Sequence, residues 1–189
     1  MRKVFDINVF GVLSTTQAFA PLPLQAKGTI VNVGSITGRV QGPYASPYGA
    51  SKAALEMMSY AMRQEMEPLG LHVVHVIGGI ATSHCWENMP RKSIPETLLY
   101  YLIREKAEAL MTRAGNYMSA VEFAHDIYAR ITKLTPPAII WPGSMIWPPR
   151  IVNVLVFLFG PCVWDLVTSG VSGLKDLRKI VREKEWEKK

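Results

Sequence analysis

Tyr48 and Lys52 stand four residues apart in the run Tyr48-Gly49-Ala50-Ser51-Lys52. Ser46 is a favoured N-cap and Pro47 a favoured first helical residue, so the run reads as the opening of a helix. On a helix that spacing places a phenol and an ammonium on one face, about 6 Å apart at Cβ. A free phenol ionises near pH ~10 and exchanges protons poorly at neutrality. A neighbouring positive charge favours the phenolate and lowers that value. A Tyr tuned in this way can give a proton to a substrate oxygen or take one from it. Taken alone, the pair is also what a solvated helix face shows by chance.

Two further polar residues lie upstream. Ser35 ends Gly28-Thr29-Ile30-Val31-Asn32-Val33-Gly34-Ser35. Thr29 to Val33 is a β-branched, mostly apolar run between glycines, which reads as a parallel strand buried on both faces. A hydroxyl at the C-terminal end of such a strand lies where open α/β sheets bind their ligands. Asn8 sits inside a helix read from Met1 to Ala20, stopped by Pro21 and Pro23. On its own, a mid-helix Asn faces solvent or bonds the backbone.

Together these segments resemble the short-chain dehydrogenase/reductase family. Asp6-Ile7-Asn8-Val9-Phe10-Gly11 is similar to its D-x-N-x-x-G helix segment. Gly28 to Ser35 is similar to its G-x-I-V-N-x-x-S strand, and Tyr48 to Lys52 to its Y-x-x-x-K pair. The resemblance implies an α/β fold: the C-terminal part of a Rossmann-like, doubly wound parallel sheet. It implies Asn8, Ser35, Tyr48 and Lys52 as catalytic residues. Tyr48 would protonate the developing alkoxide and Ser35 would hydrogen-bond the same oxygen. Lys52 would lower the Tyr pKa and hold the cofactor ribose, and Asn8 would hold a water linking Lys52 to solvent. A P-G-x-V-x-T-like segment that contacts the nicotinamide carboxamide is matched by Gly78, Ile80 and Thr82, while Ile77 replaces the proline. Cofactor contacts are therefore expected from Asn8, Tyr48, Lys52, Gly78, Ile80 and Thr82, with NADP the implied cofactor and NAD left open. No metal site is expected.

The resemblance covers residues 1–145 as a partial domain whose first βαβ cofactor-binding half is missing. Weak or absent cofactor affinity and an exposed apolar edge on the Thr29–Val33 strand are the expected consequences. Thr37-Gly38-Arg39-Val40-Gln41-Gly42 imitates a T-G-x-x-x-G phosphate turn. Such a turn needs a strand before it, a helix starting at it and a further glycine. Tyr44 stands where that glycine belongs, so the segment is rejected as a cofactor fingerprint.

Further along, Leu71 to Ile77 reads as another buried strand. His72 and His75 are an odd number of residues apart, so they point to opposite faces and share no metal. Ser83 to Met118 reads as a substrate-side insertion rich in Trp86, Met89, Leu98, Leu99 and Leu102, with a helix from Pro95 to Gly115. These residues either line an apolar pocket or pack the helix onto the body. Ser119 to Lys133 reads as an amphipathic helix and Ala138 to Trp141 as a final strand. Residues 146–189 form an apolar and amphipathic helical tail. Ile151 to Trp164 falls short of the ~20 apolar residues that span a bilayer. Beside a basic amphipathic helix it reads as a lipid-surface hairpin or as a lid.

Composition sets outer bounds. Of 189 residues, 49% are hydrophobic and 19% charged, which suits a globular core. The net charge of +6 comes without a dense basic run interleaved with aromatics, so nucleic acid is not an expected partner. Cys85 and Cys162 read as reduced thiols, and Met1 to Asp6 enters a helix rather than a leader, which points to the cytoplasm, with endoplasmic reticulum or lipid-droplet contact through the tail. The resemblance extends to fungal NADPH-dependent acyl-dihydroxyacetone-phosphate reductase-like enzymes. It implies a bulky apolar or lipid-like ketone or secondary alcohol as substrate, in lipid or secondary-metabolite biosynthesis. It also implies a homodimer through the 1–20 and 46–68 helices. The alternatives are a non-catalytic interaction module and a peripheral membrane protein.

Overall fold

Thr29–Val33 forms β1 and His72–Val76 forms β2, paired in parallel with Asn32 opposite His75 and Val33 opposite Val76. Ile139–Ile140 forms β3, parallel to β2, so the order is β1-β2-β3. The computed structural model describes residues 1–40, 42–83, 93–111 and 117–186. Helix α1 (Arg2–Phe5) continues through a π-helical turn, Asp6–Phe10, into α2 (Gly11–Phe19). Helix α3 (Pro21–Ala26) precedes β1, and α4 (Ser46–Met66) joins β1 to β2. Helices α5 (Arg104–Met111) and α6 (Ala120–Ile131) lie between β2 and β3. After β3 come α7 (Trp147–Phe159), α8 (Cys162–Ser169) and α9 (Leu174–Trp186).

Alternation along the strands gives the sheet two chemically different faces. One carries Val31, Val74, Val76 and Ile140, and α6 packs Phe123, Ile127 and Ile131 against it. Helix α6 is set by a capping box in which Ser119 and Glu122 bond each other's backbone N–H. The other face carries Asn32 and His75, and α4 covers it. Helices on both faces are what a doubly wound parallel sheet requires.

The face under α4 is polar and closed by hydrogen bonds. Asn32 Nδ2 donates to Ser59 Oγ at 3.0 Å, Ser59 Oγ donates to Leu55 O at 2.7 Å, and His75 Nδ1 lies 3.0 Å from Ser59 Oγ. One turn along, Arg39 Nε donates to Glu56 at 2.8 Å and Arg39 Nη2 to Tyr60 Oη at 2.6 Å, while Tyr60 also bonds Glu56. Burial alone would raise the Glu56 carboxyl, but the hydrogen bonds from Arg39 and Tyr60 outweigh it and hold it below the usual range. Burial, with the Glu56 charge, pushes Tyr60 up to about 12. Burial also pushes His75 down to about 4; the Glu56 charge opposes this, and Arg39 and Lys52 add to it. His75 is 1% exposed and neutral, and its Nε2 has no partner.

Several local expectations change. Pro21 does not stop helical structure but begins α3, where its missing N–H costs nothing; α3 ends at Lys27 in the left-handed region (φ 48°). Helix α4 starts at Ser46 with Ala45 as N-cap, one residue earlier than the sequence indicates. Strand β1 is not buried on both faces, since Val33 is 53% exposed, but among the described strands it pairs only with β2, which is the exposed edge expected of Thr29–Val33. Its outer edge runs along a groove lined by Ile7, Val12, Thr16, Phe19 and Ile30. Pro95 opens no helix; Leu98 is extended, and helical structure starts with the 3-10 segment Leu99–Ile103.

His75 and Glu56 both titrate below their unfolded values, so the unfolded chain binds more protons as pH falls. The stability they contribute near pH 7 is therefore lost on acidification, for His75 between pH ~6.5 and about 4. The urea midpoint should drop between about pH 7 and pH 5, with His75 contributing up to about 2 kcal/mol. A flat midpoint across that window would refute the assignment.

Candidate active site

Beyond Val33 the chain stays extended: Gly34 N donates to Val76 O at 2.8 Å, and Ser35 has φ −157° and ψ 151°. Ser35 Oγ then accepts from Thr37 N at 3.2 Å and from Thr37 Oγ1 at 2.9 Å, capping a single 3-10 turn, Ile36–Gly38. A hydroxyl has one proton and two lone pairs. Both lone pairs of Ser35 are engaged, so its proton is the part left to offer a ligand oxygen.

This turn presses on the first turns of α4. A Cβ on Gly49 would lie 2.9 Å from Thr37 O, and a Cβ on Gly38 would lie 2.9 Å from Ala53 N and 3.0 Å from Lys52 C. Each clash is with backbone, so only glycine allows the approach. Lys52 Nζ consequently reaches Val33 O at 3.0 Å, two residues before Ser35, and lies 5.8 Å from the Tyr48 ring centroid. Burial lowers the Lys52 pKa. Among the described residues no carboxylate pairs with Lys52. An ammonium has three donors, and two remain beyond the bond to Val33. Tyr48 is 41% exposed.

Asn8 lies within the π-helical turn, where the usual i→i−4 ladder is interrupted; such turns recur at functional sites. Its Nδ2 donates to Ser51 Oγ at 3.1 Å, and Ser51 Oγ donates to Tyr48 O at 2.7 Å. Ser51 is fully buried. The helix carrying Asn8 is thereby pinned to the turn carrying Tyr48.

The Gly78–Thr82 segment is tied to the same corner, since Ile36 N donates to Gly78 O at 2.8 Å. Its neighbour is the turn after β3. Gly143 adopts φ 103°, and a Cβ there would lie 3.0 Å from Gly79 Cα. Ile80 N donates to Ser144 O at 3.0 Å and Ser144 N to Ile80 O at 2.9 Å. Ile80 therefore has only a second carbonyl lone pair left for a ligand. Thr82 Oγ1 donates to Tyr117 O at a long 3.4 Å, so its hydroxyl can turn toward a ligand at little cost.

Contacts thus link all four catalytic candidates, Asn8, Ser35, Tyr48 and Lys52, around one corner, with Gly78, Ile80 and Thr82 on its far side. Three contributors were not singled out in the sequence. Ser51 fixes Asn8, Thr37 orients Ser35, and Gly38 admits α4. A serine three residues after Tyr48 on a helix, able to bond that residue's carbonyl, was the readable signal for the first. Thr37 and Gly38 were read only as parts of a false phosphate turn; instead they are committed to Ser35 and to α4. In the substrate-side segment, Trp86, Met89, Cys85 and Gly115 lie outside the described residues. Leu98, Leu99 and Leu102 are exposed. His72 is exposed and His75 buried, on opposite faces. Among the described residues no cluster of metal-binding side chains occurs.

A sequence model of the short chain dehydrogenase family matches residues 1–93. Short-chain dehydrogenase virD of Hypocrea virens is 33% identical over 165 residues, covering 87% of this chain and 56% of that protein. The NADPH-dependent 1-acyldihydroxyacetone phosphate reductase of Schizosaccharomyces pombe is 32% identical over 169 residues, covering 82% of this chain and 57% of that protein. The chain thus spans a little over half the length of these relatives. A short-chain dehydrogenase from Streptomyces avermitilis shares the fold, with TM-score 0.68 and 21% identity over 88% of this chain and 60% of that one.

In an open helix, Gly49→Ala would stabilise by about 1 kcal/mol. Here the added Cβ meets Thr37 O at 2.9 Å, so the sign should reverse and Gly49→Ala should lower the urea midpoint. A variant more stable than wild type would show that the contact between turn and helix is not tight.

Proposed function

The chain belongs to the short-chain dehydrogenase family, and from that premise we propose that it is an oxidoreductase interconverting a ketone and a secondary alcohol on a bulky apolar substrate, with NADP as cofactor. The observation that carries the reading is that Lys52 Nζ bonds Val33 O, two residues before Ser35, and lies 5.8 Å from the Tyr48 ring centroid. When bound, NADPH would supply the hydride for ketone reduction, and the oxidised cofactor would accept it from the alcohol in the reverse direction. The NADPH dependence in the name of the S. pombe relative supports that choice over NAD.

The residues present fit the nicotinamide half of such a cofactor. Lys52 has two donors free of Val33 for ribose hydroxyls, and the Thr82 hydroxyl and the Ile80 carbonyl can face a carboxamide. A substrate carbonyl oxygen set between Ser35 and Tyr48 would accept a hydrogen bond from Ser35. Tyr48 would pass its proton to that oxygen as the carbonyl carbon is reduced. Lys52, unpaired with any described carboxylate, keeps its positive charge directed at the phenol and favours the phenolate that results. Asn8, held through Ser51, positions the helix turn that carries Tyr48. Donors fixed before the reaction at the oxygen that gains charge are the main source of transition-state stabilisation.

A second reading, a module that pairs with another copy through the 1–20 and 46–68 helices, is favoured by the exposure of Ile7 and Phe10 on the first and Met57 on the second. Phe10→Glu with Met57→Glu should convert a dimer to a monomer in light scattering, while a monomeric wild type would remove this reading.

For the enzyme reading, NADPH consumption with a long-chain aliphatic ketone gives the readout. Tyr48→Phe should lower turnover by roughly 10²–10⁴. Ser35→Ala should lower it by roughly 10²–10³. Both changes should leave the circular dichroism spectrum intact. Equal turnover in Tyr48→Phe would end the proposal.

A further inference from the structure

Helices α7 and α8 meet at Gly160-Pro161 and pack on each other as a hairpin, fastened inside by Trp164 Nε1 donating to Asn153 Oδ1 at 3.3 Å. From Ile151 to Trp164 no side chain is charged. Most outward side chains are large and apolar: Phe157 is 88% exposed and Leu166 76%, with Val154, Leu158 and Phe159 also exposed, and Asp165 is the exposed carboxylate of α8. A contiguous apolar surface of this kind marks an interaction site.

Three observations select a lipid surface as its occupant. The first is reach. Ile151 to Phe159 rises about 12 Å along a helix. That is within the roughly 15 Å of hydrocarbon in one leaflet. No helix among the described residues is long and apolar enough to cross a membrane. The second is the chemistry at the base, where the charge-free run begins. Trp147 is exposed there, and the Arg150 guanidinium lies 4.8 Å from its ring and 5.1 Å from the Trp141 ring. Indoles beside an Arg are the side chains that settle at a membrane–water boundary. The third is internal satisfaction of polar groups. Cys162 Sγ bonds Phe159 O, and Thr168 Oγ1 bonds Trp164 O. Helical backbone pairs most N–H and C=O groups along both arms, while the buried Asn153 Nδ2 has no partner among the described residues.

We propose that the α7–α8 hairpin inserts into one leaflet of a lipid surface, with Trp147 and Arg150 at the headgroup level and Phe157 to Phe159 at its deepest point. The anchor stands without the catalytic reading and would hold the active site at an apolar phase. The test is flotation of the full chain with phosphatidylcholine vesicles. Wild type should rise with the vesicles, and Phe157→Ser with Leu166→Ser should cut vesicle partition by at least about tenfold. Both residues are exposed, so the variant should melt at the wild-type temperature. A readout that needs no variant is fluorescence: lipids brominated on their acyl chains should quench the tryptophan emission of wild type. Wild type that stays at the bottom of the gradient overturns the proposal, as do equal flotation of the variant and unquenched emission. A solution dimer that the double variant dissolves, without flotation, would make a second copy the occupant and overturn it too.

Discussion

The seat of α4 on the turn after β1 is the contact on which the site depends. Gly49 and Gly38 remove the two Cβ atoms that would hold helix and turn apart. Everything functional is measured from that closeness. Lys52 can reach Val33 O only because the helix lies this low, and Ser35 is oriented by a turn that the helix itself supports. Asn8 joins through Ser51, which sits in the same helix turn. If the helix lifted, the proton donor, the ammonium and the serine would separate together. A geometry of this kind is held by packing, so under the proposed reaction the reacting groups would need no rearrangement on substrate binding.

Beneath the site, the polar face of the sheet fixes which way α4 lies. Asn32 and His75 are register partners, and Ser59 of α4 bonds both. A shift of β1 by one residue would turn Asn32 toward the apolar side chains of α6 and leave Ser59 without it. The Arg39–Glu56–Tyr60 cluster need not add net stability, because desolvating a buried ion pair consumes much of its attraction. What it adds is direction: Arg39 leaves the turn that Ser35 caps and is bound to α4, so turn and helix are tied a second time.

Much of this was legible in the residues. The strands at Thr29–Val33 and His72–Val76 show as β-branched runs, and α4 shows through Pro47 at one end and Pro68 and Gly70 at the other. Asn8, Ser35, Tyr48 and Lys52 stood out because the proposed chemistry needs particular side chains at fixed spacings. What the sequence hid was tertiary. Pro21 is compatible with ending one helix or starting the next, and only the path of the chain decides. Thr37 and Gly38 carry a pattern that spacing alone assigns to phosphate, and their true partners lie on α4 and at Ser35.

Two apolar surfaces remain open, and backbone chemistry separates them. The groove between α2 and the outer edge of β1 borders a strand whose outward N–H and C=O groups have no ladder partner among the described strands. Apolar matter alone cannot satisfy that edge; it calls for a polypeptide able to exchange hydrogen bonds along it. The α7–α8 hairpin is the opposite case. Its backbone bonds are closed within each helix apart from the terminal turns, and its exposed side chains, Asp165 excepted, are mostly apolar. A hydrocarbon phase suits those apolar side chains, whereas at the β1 edge it would strand unpaired amides at a cost of several kcal/mol each. Unpaired backbone therefore denies lipid to the first surface, and paired backbone favours it at the second.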